Sequence, residues 1–318
     1  MFLRIFFTLL CLVCTTHSYA DKKEQEAAAI AKLPSGVTFE IRGQHLGKNV
    51  ISYMHAKWIA YTNKIPVLFK PFPHSNQMEM HTHEKKLNDS TEWPKMILVN
   101  EETVVSFGDP TKTLYFVPYF EEVDLEYQKQ PKGAYFPVNW EDKEFKSQIK
   151  QMLTPTSGYT AIQLPKGRIT VAVHVRQGIP GETPEEIAAN PLKFPNEEYY
   201  INQIRRLNDI FKGRPMYIHI FTDQKNPVQI TKRIQERLNM HHIIFECRRE
   251  GNNHKANAVD DLFNMSQFQC LIRPESDFSL AAELIGNFAI VIKPVHHRFV
   301  KRKNKEMVDQ VHVKVRNL

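Results

Sequence analysis

The 318-residue chain is poor in cysteine, glycine and tryptophan, with 4, 12 and 3 of each. Four cysteines cannot staple a chain of this length into a disulfide scaffold, and so few glycines exclude a collagen-like repeat. After the first twenty residues no apolar run approaches the roughly 20 residues that span a bilayer. Internal repeats and low-complexity tracts are also lacking, and 42% hydrophobic with 24% charged residues excludes a disordered chain. Neither sign of charge dominates, since 42 Lys and Arg stand against 35 Asp and Glu for a net +7. That excess would attract anions in general. It is spread along the chain and not gathered in one arm, so nucleic acid is not expected as a partner. What is present is an ordinary globular composition, long enough for one large or two medium domains.

Arg4, the apolar run Ile5 to Val13 and the small residues of Ser18-Tyr19-Ala20 predict a secretory signal peptide over residues 1–20. The mature protein is then expected in a secretory pathway: secreted, lumenal or periplasmic. Cys11 and Cys14 leave with the peptide. Cys247 and Cys270 remain, either as a disulfide or as two buried thiols.

A polar lead over 21–36 precedes the first structured residues. Val50, Tyr53, Met54, Trp58 and Tyr61 recur at helical spacing between Asn49 and Asn63, and Ile65 to Phe69 reads as a buried strand. Residues 71–95 are rich in Pro, His, Asn and charge and read as a long surface loop before Met96 to Val99 resumes an extended pattern. From Ile169 on, short Val- and Ile-rich runs alternate with helical segments, the signature of a parallel sheet wrapped by helices. The chain thus divides into a domain over 37–153, a Pro- and Gly-containing linker over 154–168, a second domain over 169–300 and a basic tail over 301–318.

Chemistry concentrates in two places. The strand Ile169 to Val175 ends in His174, Arg176, Gln177 and Gly178. His174 and Arg176 alternate with Val173 and Val175 and share one face. A guanidinium at the carboxyl end of a parallel strand can grip a phosphate with two parallel hydrogen bonds, and Gly178 lets a phosphate or sugar approach the backbone. The second place runs from Val259-Asp260-Asp261-Leu262 through Met265-Ser266 and Cys270-Leu271-Ile272 to Ser276-Asp277-Phe278-Ser279. This is a helix, a strand, a polar turn and a capped helix whose first amides suit an anion.

In that order, the two segments resemble the fucosyltransferase superfamily, whose members share a strand ending in His-x-Arg-x-Gly and a later Asp-containing helix followed by a Phe-Ser turn. The similarity is strongest to the alpha-1,2-type and related enzymes. Gly43, Leu46-Gly47-Lys48-Asn49 and Ile65-Pro66-Val67-Leu68 agree with their opening loop, helix and strand. The resemblance implies an α/β fold of the GT-B type, two Rossmann-like domains with parallel sheets facing a cleft. It implies GDP-fucose as donor, a glycan or glycoprotein hydroxyl as acceptor, transfer with inversion, and no metal or other cofactor. Carried over, Arg176 is the catalytic cation on the donor diphosphate and His174 lies beside the nucleotide. Asp261 receives the guanine N1 and N2 hydrogens, Phe278 and Ser279 line the phosphate side, and Gly47 and Asn49 belong to the amino-terminal wall. The pattern departs in two positions. Ile179 follows Gly178 where the family has an acid, and Lys48 precedes Asn49. A non-catalytic glycan- or nucleotide-binding protein on the same fold is the alternative.

Three local signals stand apart. His74, His81 and His83 with Glu84 match no metal-ligand spacing and read as a polar loop. Asn88-Asp89-Ser90 has the form of a glycosylation acceptor. The basic run Arg298 to Lys305 suits a solvated helix end or contact with an acidic membrane surface.

Overall fold

The computed structural model describes residues 35–100, 112–120, 137–156, 158–177, 182–249, 252, 258–300 and 305–316. The expected signal peptide and Gly178 lie outside them.

The first sheet starts with β1 (Gly36–Phe39), followed by α1 (Leu46–Asn63), β2 (Leu68–Phe69), a 3-10 turn at Ser75–Gln77, α2 (Met80–His83), β3 (Lys85–Lys86), β4 (Lys95–Leu98) and β5 (Thr113–Val117). β5 runs parallel to both β1 and β4. A parallel bridge between Val37 and Val67 brings β2 against β1, and β3 pairs with β2. After α3 (Lys143–Met152) the second sheet is built from β6 (Ile169–Val175), α4 (Pro184–Ala189), α5 (Glu197–Ile210), β7 (Met216–Thr222), α6 (Pro227–Leu238), β8 (Ile243–Cys247), α7 (Ala258–Met265), β9 (Cys270–Ile272), α8 (Asp277–Ile285), β10 (Ile290–Val300) and β11 (Lys305–Val315). Its order is β11-β10-β9-β6-β7-β8. All neighbours are parallel except the β10–β11 pair. The chain therefore enters in the middle at β6, winds outward to β8, and returns to the other side of β6 at β9.

Side-chain alternation assigns the two faces of this sheet. Val171, Val173 and Val175 pack with Tyr200, Ile204, Ile218 and Ile234. Ala172, one register step away, joins Leu271, Leu262 and Ala281 on the opposite face. That second cluster continues into Val37, Val50 and Tyr53 of the amino-terminal half, so one apolar core runs through both sheets. The segment read as a linker is fastened to α7: Asn264 Oδ1 accepts from the Tyr159 hydroxyl at 2.8 Å and from Ile162 N at 2.9 Å, and its amide donates to Thr160 O at 3.0 Å. Among the described residues no helix is long and apolar enough to cross a membrane.

Two expectations are corrected. Residues 71–95 are not a plain surface loop, because Phe72, Met78 and Met80 are buried in the core and carry the 3-10 turn and α2 with them. Residues 305–315 are not a tail but the antiparallel edge strand β11. Val311 and Val313, two apart, pack against the core while His312 and Lys314 alternate with them. That is the period of a strand.

Cys247 and Cys270 are both free and buried. They lie on β8 and β9, with β7 and β6 between, a separation of about 14 Å at strand spacing, beyond the reach of a disulfide. A thiol reagent is accordingly expected to titrate no thiol in the folded mature protein and two after denaturation. Burial pushes the Cys270 thiol up to about 12, which slows its reaction further. A non-reducing peptide map with a Cys247–Cys270 bridge would contradict this arrangement.

Candidate functional site

The connections after β6 and β9 leave the sheet in opposite directions, and such a switch point opens a crevice at the carboxyl ends of the strands. The residues gathered there are those at the ends of β6, β7 and β9 and at the start of α8. Beyond β6, Gln177 N donates to Asp223 Oδ1 at 2.9 Å, and the Gln177 side chain accepts from Gln224 Nε2 at 3.2 Å. These bonds fasten the end of β6 to the end of β7.

His174 is buried, its ring centroid 5.5 Å from that of Phe278 on α8. Its Nδ1 has no hydrogen-bond partner. Burial, helped by the positive charges of Arg176 and Arg273, pushes its pKa down to about 3, so the imidazole is neutral at physiological pH. Arg176 is held from two sides. Its Nη2 lies 3.3 Å from Glu182 Oε1, the same oxygen takes Lys193 Nζ at 2.8 Å, and the guanidinium carbon stands 5.3 Å from the Phe194 ring centroid. Its Nε is buried and unpartnered. Ser276 is the N-cap residue of α8, yet its hydroxyl makes no cap bond and is also buried without a partner. Three polar side chains at the end of β6 and the start of α8 thus carry buried atoms without a partner among the described residues, an arrangement that costs free energy unless a ligand completes the bonds.

The amino-terminal half reaches this region through α1. A Cβ built on Gly47 would stand 2.5 Å from Asp277 C and from Phe278 N, so only glycine lets the first turn of α1 meet the first turn of α8. Gly47→Val is expected to lower stability by about 1–3 kcal/mol, as overpacking does, and chemical denaturation would measure it. An unchanged midpoint would mean that the two helix starts are not in contact. Asp277 Oδ1 accepts from the Tyr119 hydroxyl at 3.2 Å, and Lys48 Nζ lies 3.9 Å from Asp277 Oδ2 and over the Tyr119 ring. Asn49 is fully buried, accepts from Arg42 N at 2.6 Å and donates to Gly43 O at 3.0 Å. It closes the loop before α1, and these bonds occupy both ends of its amide.

No family model and no curated protein matches the chain. In structure the chain is similar to fucosyltransferases. POFUT1 in complex with GDP is 13% identical with a TM-score of 0.46, covering 80% of this chain and 95% of that one. NodZ alpha-1,6-fucosyltransferase soaked with GDP-fucose is 11% identical with a TM-score of 0.45, covering 89% and 100%. A mutant of Arabidopsis thaliana FUT1 in complex with GDP is 10% identical with a TM-score of 0.48, covering 85% and 74%.

Of the residues expected from sequence, Gly47, Phe278, Ser279 and, through its ring contact with Phe278, His174 meet at the start of α8, while Arg176 follows β6 beside Glu182 and Phe194. Ser279 is fully buried and its hydroxyl donates to Ser276 O at 3.3 Å, so it braces the turn. Asp261 stands on α7, where its Oδ1 accepts from Arg248 Nη2 at 2.7 Å. Burial, only partly offset by Arg248, raises its pKa above the ordinary carboxylate value. Arg248 was not singled out in the sequence. It follows β8 and helps push the buried His219 down to about 4, after burial itself. Of the acids after Gly178, only Glu182 reaches Arg176. Glu186 is spent on a capping box with Thr183, and Glu185 is exposed on α4. No group of three or more His, Cys, Asp or Glu placed to hold a metal ion occurs among the described residues.

Proposed function

We propose that the chain is a glycosyltransferase that moves fucose from GDP-fucose to a hydroxyl of a glycan or glycoprotein, with inversion at the anomeric carbon and without a metal. The observation that carries this reading is the set of buried, unpartnered polar atoms, His174 Nδ1, Arg176 Nε and Ser276 Oγ, at the switch point beside the amino terminus of α8. When the bond from the anomeric carbon to the diphosphate breaks, negative charge grows on the departing GDP. A fixed guanidinium, helped by the positive end of the α8 dipole, would offset such charge and need not reorganise as it develops. Neutral His174 supplies a hydrogen bond without adding or removing charge. The acceptor oxygen attacks from the side opposite the leaving group, and as the new bond forms and the bond to GDP breaks, its proton passes to solvent. The expected signal peptide would place this reaction in a secretory compartment.

In this reading Asp261 selects the base, since a carboxylate receives two N–H groups from guanine and adenine cannot offer the same pair. Calorimetric titration of the mature chain with GDP, GDP-fucose, UDP and ADP tests it. GDP and GDP-fucose are expected to bind, UDP and ADP not, and Asp261→Asn should weaken GDP by about tenfold or more, the worth of a hydrogen bond to a charged group. A folded protein that binds none of the four would end the proposal. GDP binding with no transfer to any acceptor would favour the non-catalytic alternative, which the Ile179 in place of an acid supports.

A further inference from the structure

At the opposite end of α8 from Asp277, a groove of about 510 Å³ opens between α3, the end of α8 and the start of β10. The nine residues of α8 place it about 12 Å along the helix from the site described above. Its lining is strongly basic. Lys143, Lys146 and Lys150 are spaced along one side of α3, with Phe145 and Ile149 turned into the core, and Arg316 faces them from the end of β11. Glu141 is the one acid among the described lining residues. It is 73% exposed and touches Arg316 at 3.4 Å, so it neutralises little of the recess. Lys150 Nζ donates to the neutral Gln267 at 3.1 Å, Lys146 has no ion pair among the described residues, and Arg316 Nε is buried without a partner. Burial first, and then the charge of Arg316, push Lys146 down to about 8, with Glu141 and Glu283 offsetting only part of the shift. Trp140 and Phe288 form apolar walls. Trp140 is fixed by ring contacts to His55 and Phe145 at 6.4 and 6.1 Å.

We infer that this groove is a binding site for a small phosphate- or sulfate-bearing molecule, separate from the site at the switch point. A recess of this volume falls within the range of ligand pockets, about 300–1,000 Å³. Ammonium and guanidinium groups around it match the several acceptor oxygens of a phosphate or sulfate, and the guanidinium offers two parallel bonds. The ring walls would lie against the apolar part of the same ligand.

Inorganic pyrophosphate is the probe, titrated by calorimetry at roughly 0.15 M salt, where long-range surface attraction is screened beyond about 8 Å. The host is the Arg176→Ala chain, so that binding near α8's amino terminus does not contribute and the outcome does not depend on the proposed GDP site. Pyrophosphate is expected to bind with one-to-one stoichiometry and to be displaced by sulfate. Lys146→Gln/Lys150→Gln should weaken it by about tenfold or more, and Lys146→Arg/Lys150→Arg, which keeps both charges, should retain it. Lys143→Gln, at an exposed position that cannot unfold the chain, should weaken it severalfold. No binding to a host that melts cooperatively would overturn the inference, as would equal affinity in the Lys and Gln forms.

Discussion

Arg176→Ala is expected to lower sugar transfer by at least about a hundredfold while the melting temperature moves by no more than about 2 °C, as for a change near the surface. The two halves of this expectation come from different contacts. Arg176 keeps 20% of its side chain exposed, and its acidic partner Glu182 retains Lys193 at 2.8 Å when the guanidinium is gone. No buried charge is stranded, and the fold should not notice. The diphosphate, by contrast, would lose the cation aimed at it when its charge is greatest. Because that charge is largest in the transition state, kcat should fall by more than GDP affinity does. Arg176→Lys separates charge from geometry. A lysine keeps the positive charge but cannot make two parallel bonds or lie flat over Phe194, so most of the loss should persist. Steady-state kinetics with GDP-fucose and a glycan acceptor, beside a thermal melt, would decide. Transfer within about threefold of the parent in Arg176→Ala would remove Arg176 from the mechanism.

Much of this site could be read from the sequence because it is built from local patterns. The run Ile169 to Val175 is β6 to the residue, since a strand buried on both faces is mainly apolar, and it ends where the first charged side chain, Arg176, appears. The polar turn before Phe278 is a helix start for the same local reason. The partners of these residues were not legible, because they are set by the winding of the sheet. Arg248 meets Asp261 although β8 and α7 are separate elements, and Glu182 meets Arg176 from six positions away, a pairing that no short pattern encodes. Asn49 was expected in the wall of the site and instead closes the loop at Arg42 and Gly43. A short sequence pattern fixes the position of a polar residue without saying whether its side chain bonds to ligand or to backbone. The His74 to His83 stretch failed as a surface loop for a third reason. Met78 and Met80 are spaced two apart among polar residues, too sparse a signal to betray that both are fully buried.

Glu283→Ala should be the most destabilising single change away from the site, costing about 3–5 kcal/mol, the usual penalty for stripping one partner from a buried ion pair. Arg273 and Glu283 are 4% and 7% exposed, and Arg273 Nε donates to Glu283 Oε2 at 2.6 Å. Arg273 also donates to Pro274 O, and its own carbonyl accepts from the Tyr199 hydroxyl at 2.9 Å. Removing the carboxylate leaves a guanidinium sealed in the core with only carbonyl oxygens beside it. Burial by itself would raise the Glu283 pKa, but Arg273, with Lys293 and Lys314, outweighs it and holds the group below its ordinary value of 4.5. A depressed folded pKa means that the pair's contribution is complete above the unfolded value and lost as pH falls through the folded one. Urea unfolding of the parent should therefore lose stability as pH drops below about 4.5, and Glu283→Gln, already weakened at pH 7, should lose less over the same interval. The pair also anchors the turn from Arg273 to Ser276, so the variants that fold should show reduced transfer even though Glu283 touches no ligand. A cost below about 1 kcal/mol at pH 7 would show that water reaches the pair, and with it that the turn carrying Ser276 is not held in the way that the proposed site requires.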